Sequence, residues 1–276
     1  MKKLENKICL ITGAGSGIGK AIATLFAKEG GHVYISDIDD IKGKETAEGI
    51  IAEGGKADFI HLDVSKEEEW VSAIAEIEKR SGQLGVLINN AGIIGFERAE
   101  WGPQDPENAS LESWKLIHAI NANGTFLGCK HAISLMKKNS IEGHGASIVN
   151  MSSRSGMVGV PTAAAYASSK AAIRNHTKSV ALYCASKNYN IRCNSLHPAA
   201  ILTPMWDIML GEGETRVKGI KDLSAGIPLG RLGTPEDIAE AALFLSLDSS
   251  SYMTGSEMVL DGGIMAGTTT SPRKGE

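Results

Sequence analysis

The chain has 276 residues, 42% of them hydrophobic, with 28 Lys and Arg against 32 Asp and Glu and a net charge of −4. This length suits one large α/β domain with an ample core, and a mildly acidic chain without a basic block removes nucleic acid from the expected partners. Cys9, Cys129, Cys184 and Cys193 form no C-x-x-C pair and sit among small or apolar neighbours, so neither a metal site nor a disulfide framework is expected, and the cytoplasm is the expected compartment.

Residues 7–11 are the first strand candidate, an apolar run too short for a membrane span or a signal-peptide core. Thr12, Gly13, Ala14, Gly15, Ser16, Gly17, Ile18 and Gly19 follow, then an amphipathic helix over 20–29 that Gly30 and Gly31 stop. A second strand, 32–36, ends at Asp37. Strand, glycine turn, helix, strand and acid make a βαβ unit with a right-handed crossover expected. Glycines let the backbone turn sharply and approach a pyrophosphate, which the N-terminus of the next helix attracts. The spacing departs from G-x-G-x-x-G, because residue 18 is Ile, and matches G-x-x-x-G-x-G through Gly13, Gly17 and Gly19.

A helix is predicted over 42–53 and a third strand over 57–62, running into Asp63 and Val64. A helix over 66–80 and an apolar strand over 84–88 lead to Asn89, Asn90, Ala91 and Gly92. In a doubly wound sheet such strand ends line the ligand crevice. Residues 93–110 read as irregular, and 111–136 as one long helix with Asn121, Asn123 and Gly124 inside it. Asn has low propensity at mid-helix; Asn121 either faces solvent or marks a buried kink that turns a carbonyl or amide toward a site. A fifth strand, 146–151, delivers Ser153, and a helix spans 163–185. The sixth strand, 191–196, ends at His197 and Pro198. Residues 203–227 carry Met205, Trp206, Ile208, Met209 and Leu210; they read as a mobile lid with an apolar inner face, or as a surface helix packed on the core. A helix over 235–247, a last strand over 257–260 and a loose polar tail over 268–276 complete the chain. With strands and helices alternating throughout and no interdomain linker, a single doubly wound parallel sheet with helices on both faces is expected.

Two residues in this order carry chemistry together. Tyr166 and Lys170 are four apart on an Ala-rich helix, so their side chains share a face. A phenol has a pKa near ~10 and must lose about 4 kcal/mol of proton affinity to titrate near neutrality. One cation at ~4 Å and an effective dielectric of ~20 supplies energy of that order. Lys170 is therefore expected to bring the Tyr166 phenol down into a working acid/base range, with Ser153 holding a substrate oxygen beside it. The plain alternative is a surface Tyr and Lys.

The motifs T-G-x-x-x-G-x-G at 12–19, N-N-A-G at 89–92, Asn121, Ser153 thirteen residues before Tyr166, Y-x-x-x-K at 166–170 and D-G-G at 261–263 occur in one order, and over residues 7–263 the chain resembles the short-chain dehydrogenase/reductase family. The resemblance implies a Rossmann-type oxidoreductase fold and a nicotinamide cofactor. It implies that Gly13, Gly17 and Gly19 bind the pyrophosphate and adenosine side, with Ser16 and Ile18 in the same turn. Asp37 would take the adenosine ribose hydroxyls with Ile38 beside it, Asp63 and Val64 would contact adenine, and Asn90, Ala91 and Gly92 would line that pocket. Tyr166 would donate or accept the proton, Lys170 would lower its pKa and hold the nicotinamide ribose, Ser153 would bind the reacting oxygen, and Asn121 would anchor a water relay. Ile201 and Thr203 would hold the nicotinamide carboxamide, and Pro198 would also contact the cofactor. Ala199 stands where the family usually has Gly. The stretch after Gly92 is longer than usual, and residues 101–108 form either part of the pocket rim or a plain surface loop. The resemblance also implies a homo-oligomer, tetramer or dimer, paired through the helices at 111–136 and 163–185.

An acid at Asp37, with Ser16 and Ile38 offering no cation for a 2′-phosphate, favours NAD over NADP. Met157, Val158, Val160, Met205, Trp206 and Met209 are apolar pocket candidates, which favours a hydrophobic secondary alcohol or ketone, cyclic or steroid-like, as substrate. Two other readings share the motifs: a 3-oxoacyl-carrier-protein reductase, and a dinucleotide-binding regulator without activity.

Overall fold

In the computed structural model, residues 2–139 and 145–267 are described; the predicted tail at 268–276 lies outside them. Seven strands form one sheet in the order β3-β2-β1-β4-β5-β6-β7, and every neighbouring pair is parallel. They are β1 Ile8–Thr12, β2 His32–Asp37, β3 Lys56–His61, β4 Val86–Asn89, β5 Ala146–Met151, β6 Ile191–Pro198 and β7 Glu257–Leu260. The helices between them are α1 Gly17–Lys28, α2 Asp40–Ala52, α3 Glu67–Ser81, α4 Leu111–His118, α5 Gly124–Asn139, α6 Ala164–Ser186, α7 Asp207–Leu210, α8 Gly213–Ala225 and α9 Pro235–Ser246.

Side chains alternate across a strand, so each strand of a sheet covered on both faces feeds two cores. In β1, Cys9 and Ile11 join one apolar cluster with Ile22 and Phe26 of α1 and Ile238 and Leu243 of α9. Ile8 and Leu10 join the other, with Trp70 of α3, Leu127 of α5 and Val180 of α6. Strand order reverses between β1 and β4, and the loops that follow these strands open on a common crevice.

Most expected elements are present within one or two residues. The long helix predicted over 111–136 is not continuous: α4 ends at His118, a π-helical turn spans Ala119–Asn123, and α5 begins at Gly124. The cause is tertiary. Asn121 is wholly buried and its side chain is bonded across to other segments, which a regular helical register would not permit. The region 203–227 folds as a short turn at Pro204–Trp206 followed by α7 and α8, with Leu210 buried and Met205 and Met209 exposed. Residues 101–108 lie against the body of the protein: Gln104 is buried, its side chain bonds Ser113, and its carbonyl accepts the Ala164 N–H at the start of α6.

Candidate active site

The crevice is built first from backbone. Gly13 has φ +62°, a left-handed conformation that costs a non-glycine residue about 1 kcal/mol or more, and a Cβ there would stand 2.9 Å from Ala91 Cα. Gly19 serves close packing instead: a Cβ on it would collide with the Gly13 carbonyl oxygen and press on the Asn90 amide. The Thr12 hydroxyl accepts from the Ala91 and Asn90 N–H groups, both at 3.0 Å, and the Asn90 side-chain amide donates to the Thr12 carbonyl at 2.9 Å. These bonds lock the loops after β1 and β4 to each other.

Asp37 ends β2 beside the same turn. One of its carboxylate oxygens accepts the Gly15 N–H at 2.9 Å and the other accepts the Asp39 N–H at 2.9 Å. Ile38 is 64% exposed. The two cations that follow are paired, Lys42 with Asp39 at 3.3 Å and Lys44 with Asp40 at 3.2 Å. Asp63, at the end of β3, is held below the usual carboxylate range: burial pushes it up, but bonds from Ser65 and the charge of Lys66 outweigh that.

The chemical end of the crevice is assembled from β5, the Asn121 turn and α6. Asn121 Oδ1 accepts the Ile93 N–H at 2.9 Å, while its Nδ2 donates to the Ile93 carbonyl at 2.9 Å and to Ser169 Oγ at 3.0 Å. Ser169 Oγ in turn donates to the Tyr166 carbonyl at 2.7 Å. The amide, rather than a carbonyl, is thus what the kink directs to the site; the Asn121 carbonyl is capped by the Thr125 hydroxyl at 2.8 Å. Ser153 is buried just past β5 and its hydroxyl accepts the Ser155 N–H at 3.1 Å. Buried His197 bonds the Ser153 carbonyl through Nδ1 at 3.2 Å.

Tyr166 and Lys170 share a face of α6, and the Lys170 ammonium stands 5.7 Å from the Tyr166 ring centroid. It donates to the Met151 carbonyl at 2.9 Å. The expected depression of the phenol is not found in this geometry. Burial raises the Tyr166 pKa, the Ser153 hydroxyl opposes that, and the charge of Glu97 adds to it. Lys170 moves the other way, pushed down to about 8 by burial. Helical spacing gave the shared face correctly, but the Met151 carbonyl on the neighbouring strand decides where the ammonium goes.

A cavity of about 750 Å³ runs along all these groups. Of the residues expected to contact a cofactor, every one except Gly19 lines it, from Asp37 and Ile38 through Gly13, Ser16, Gly17, Ile18, Asp63, Val64, Asn90, Ala91 and Gly92 to Pro198, Ile201 and Thr203. Ser153, Tyr166 and Lys170 line it as well, whereas Asn121 braces it from behind. Val160, Met205, Trp206 and Met209 face the cavity. Met157 and Val158 do not: both lie beyond the turn at Arg154–Gly156, and Val158 is exposed to solvent. Residues 101–108 also stay out of the lining. Lining residues that sequence reasoning missed include Phe96, Arg154, Leu223, Ile227 and Ile264. Ala200, next to Ala199, takes a left-handed φ of +51°. No helix among the described residues is long and apolar enough to cross a membrane, and no group of three His, Cys, Asp or Glu among them could hold a metal ion.

Residues 13–265 match the family model described as enoyl-(acyl carrier protein) reductase. The chain is 40% identical over 266 residues to cyclopentanol dehydrogenase of a Comamonas species, covering 96% of this chain and 100% of the relative. It is 37% identical over 267 residues to the NADP-dependent (R)-specific alcohol dehydrogenase of Lentilactobacillus kefiri, covering 96% and 98%. The crystal structure of a short-chain type dehydrogenase/reductase from Mycobacterium marinum superposes with a TM-score of 0.84 at 31% identity, covering 96% of this chain and 98% of that one.

Proposed function

The chain belongs to the short-chain dehydrogenase/reductase family, oxidoreductases that use a nicotinamide dinucleotide, and on that premise we propose that it is an NAD-dependent dehydrogenase of hydrophobic secondary alcohols, cyclic or steroid-like, and a reductase of the matching ketones. The observation that carries this reading is the single cavity that joins Asp37 to Ser153, Tyr166 and Lys170. A dinucleotide fits its walls. The left-handed turn at Gly13 leaves room for a pyrophosphate before the N-terminus of α1, and Asp37 is an acceptor for ribose hydroxyls. A bound nicotinamide would supply the hydride chemistry, as acceptor from the alcohol in its oxidised form and as donor to the ketone in its reduced form.

The protein's own groups handle the oxygen and its proton. Ser153 holds the reacting oxygen near Tyr166. With its pKa raised, Tyr166 is protonated at neutral pH and is set to donate to a ketone oxygen; alcohol oxidation needs the ionised phenol and so gains with rising pH. Lys170 spends one ammonium hydrogen on Met151 and keeps the others for a ribose hydroxyl. Asn121 fixes the Ile93 loop and α6 at one separation, which keeps Tyr166 in place. Residues 203–227 serve as the lid, closing Met205, Trp206 and Met209 over an apolar substrate.

The charge at Asp37, the apolar Ile38 and the paired Lys42 and Lys44 support NAD, because none of them can offset a 2′-phosphate. Exposed Phe126 on α5 and exposed Leu182 and Tyr183 on α6 support a homo-oligomer paired through these helices. Four buried free cysteines suit a cytoplasmic location.

The test is a panel of secondary alcohols, straight-chain to polycyclic, assayed with NAD and with NADP. The expected result is the highest kcat/KM for cyclic alcohols, with NAD preferred about a hundredfold. Comparable values for the two cofactors, or no turnover of any secondary alcohol, would reject the reading.

A further inference from the structure

Arg154 stands one residue past Ser153 and lines the same cavity. It is half-buried, and no hydrogen bond or ion pair of its guanidinium occurs among the described residues. Every other arginine among them has an oxygen partner. Arg80 pairs with Glu76 and Asp58, Arg98 with Glu100, Arg174 with Glu257, Arg216 with Asp207 and Arg231 with Asp237, while Arg192 donates to the Leu245 and Leu247 carbonyls. A guanidinium taken partly out of water without a partner is costly, and its planar fork of donors matches a carboxylate.

The rest of the cavity does not answer this charge. Lys170, the other cation of the lining, is bonded to the Met151 carbonyl. Of the acids of the lining, Asp37 ends β2 and Asp63 lies two residues past β3, strands separated from β5 by β1 and β4. Glu97, whose charge reaches Tyr166, is bonded by the Ile94 and Gly95 N–H groups at 2.7 and 2.8 Å. Ser155 and Thr162 add hydroxyls to the lining near Arg154 in sequence, in an otherwise apolar wall of Ile94, Phe96 and Val160.

We infer that Arg154 anchors an anionic group of the substrate, so that the preferred substrate is a hydrophobic secondary alcohol or ketone that also carries a carboxylate. The inference rests on the dehydrogenase reading above and narrows its substrate class. Ser153 and Arg154 line one cavity of about 750 Å³, so an oxygen at Ser153 and an anion at Arg154 can belong to one bound molecule. The apolar wall takes the ring or chain between them.

A matched pair tests this: a hydroxycycloalkane carboxylate and its methyl ester, each with NAD, against the wild-type protein and the Arg154→Met and Arg154→Lys variants. Thermal unfolding checks that both variants are folded, and NAD affinity is measured separately. Charged hydrogen bonds of this kind are worth about tenfold to a hundredfold in affinity. Wild-type protein is expected to prefer the carboxylate by at least about tenfold in kcat/KM. Arg154→Met should erase that preference through KM, leaving the ester and NAD affinity unchanged, and Arg154→Lys should keep part of it. Preference for the ester in the wild type, or equal loss on both substrates in Arg154→Met, overturns the inference while the dehydrogenase reading stands. Weakened NAD binding in Arg154→Met assigns the residue to the cofactor and also overturns it. If neither substrate is turned over, the dehydrogenase reading falls, and the inference with it.

Discussion

Replacing Lys170 by Met should stabilise the protein while removing its activity, and the stabilisation should depend on pH. Lys170 is 4% exposed, and burial takes its pKa from 10.5 to about 8. Below pH 8 the folded protein therefore keeps a buried ammonium that the unfolded chain would hydrate. The shift corresponds to about 3 kcal/mol of lost stability. Methionine has a similar length, fills the same space and carries no charge. It gives up the bond to the Met151 carbonyl, worth about 1 kcal/mol, so the net gain near neutrality is about 2 kcal/mol, or roughly 4 °C in Tm for a chain of this length. Between pH 8 and 10.5 the unfolded chain binds a proton that the folded protein does not, so wild-type stability rises with pH and the gap closes. Thermal unfolding of both proteins without cofactor, from pH 7 to pH 10.5, measures this. A lower Tm for Lys170→Met at pH 7, or a gap that does not change with pH, would refute the reasoning.

Three substitutions away from that charge test other parts of the site. Asp37→Ala combined with Ile38→Arg should move the preference from NAD toward NADP, read as the ratio of kcat/KM for the two cofactors; an unchanged ratio would show that Asp37 does not occupy the ribose position. Trp206→Ala should raise KM for bulky alcohols more than for small ones, and equal effects would make Trp206 a structural residue rather than part of a lid. Asn121→Ala strands the N–H and the carbonyl of Ile93, while the Ser169 hydroxyl keeps its bond to the Tyr166 carbonyl. At about 1 kcal/mol or more for each of these two groups, Tm should fall by roughly 4 °C.

The pattern of strands and helices was open to sequence reading because each strand feeds two cores and each outer helix only one. Cys9 and Ile11 face one side of β1 and Ile8 and Leu10 the other, an arrangement that produces the unbroken apolar run at 8–11. The Gly13, Gly17 and Gly19 turn was legible because Gly13 and Gly17 take left-handed φ values and Gly19 has no room for a Cβ. What escaped depends on partners remote in sequence. The kink at Asn121 was one of two readings the sequence left open, and what decides for it is that Ile93 and Ser169 bond its amide. The raised Tyr166 phenol follows from burial and from the charge of Glu97, while the Met151 carbonyl takes a bond from Lys170. Ala200 takes φ +51°, which no local residue preference announces. Ile264 reaches the cavity from beyond β7, with no periodic signal around it.

The central claim is that hydride leaves the carbinol carbon of a secondary alcohol for NAD while Tyr166 takes the hydroxyl proton. The most direct measurement uses a cyclic secondary alcohol deuterated at that carbon, with the mass of the recovered nicotinamide cofactor read after turnover by the wild-type protein and by Tyr166→Phe. The account predicts deuterium in the reduced cofactor with the wild type, and less than about a tenth of that rate with Tyr166→Phe although NAD still binds. Unlabelled cofactor after wild-type turnover, or a Phe variant that keeps a tenth or more of the rate, would contradict it.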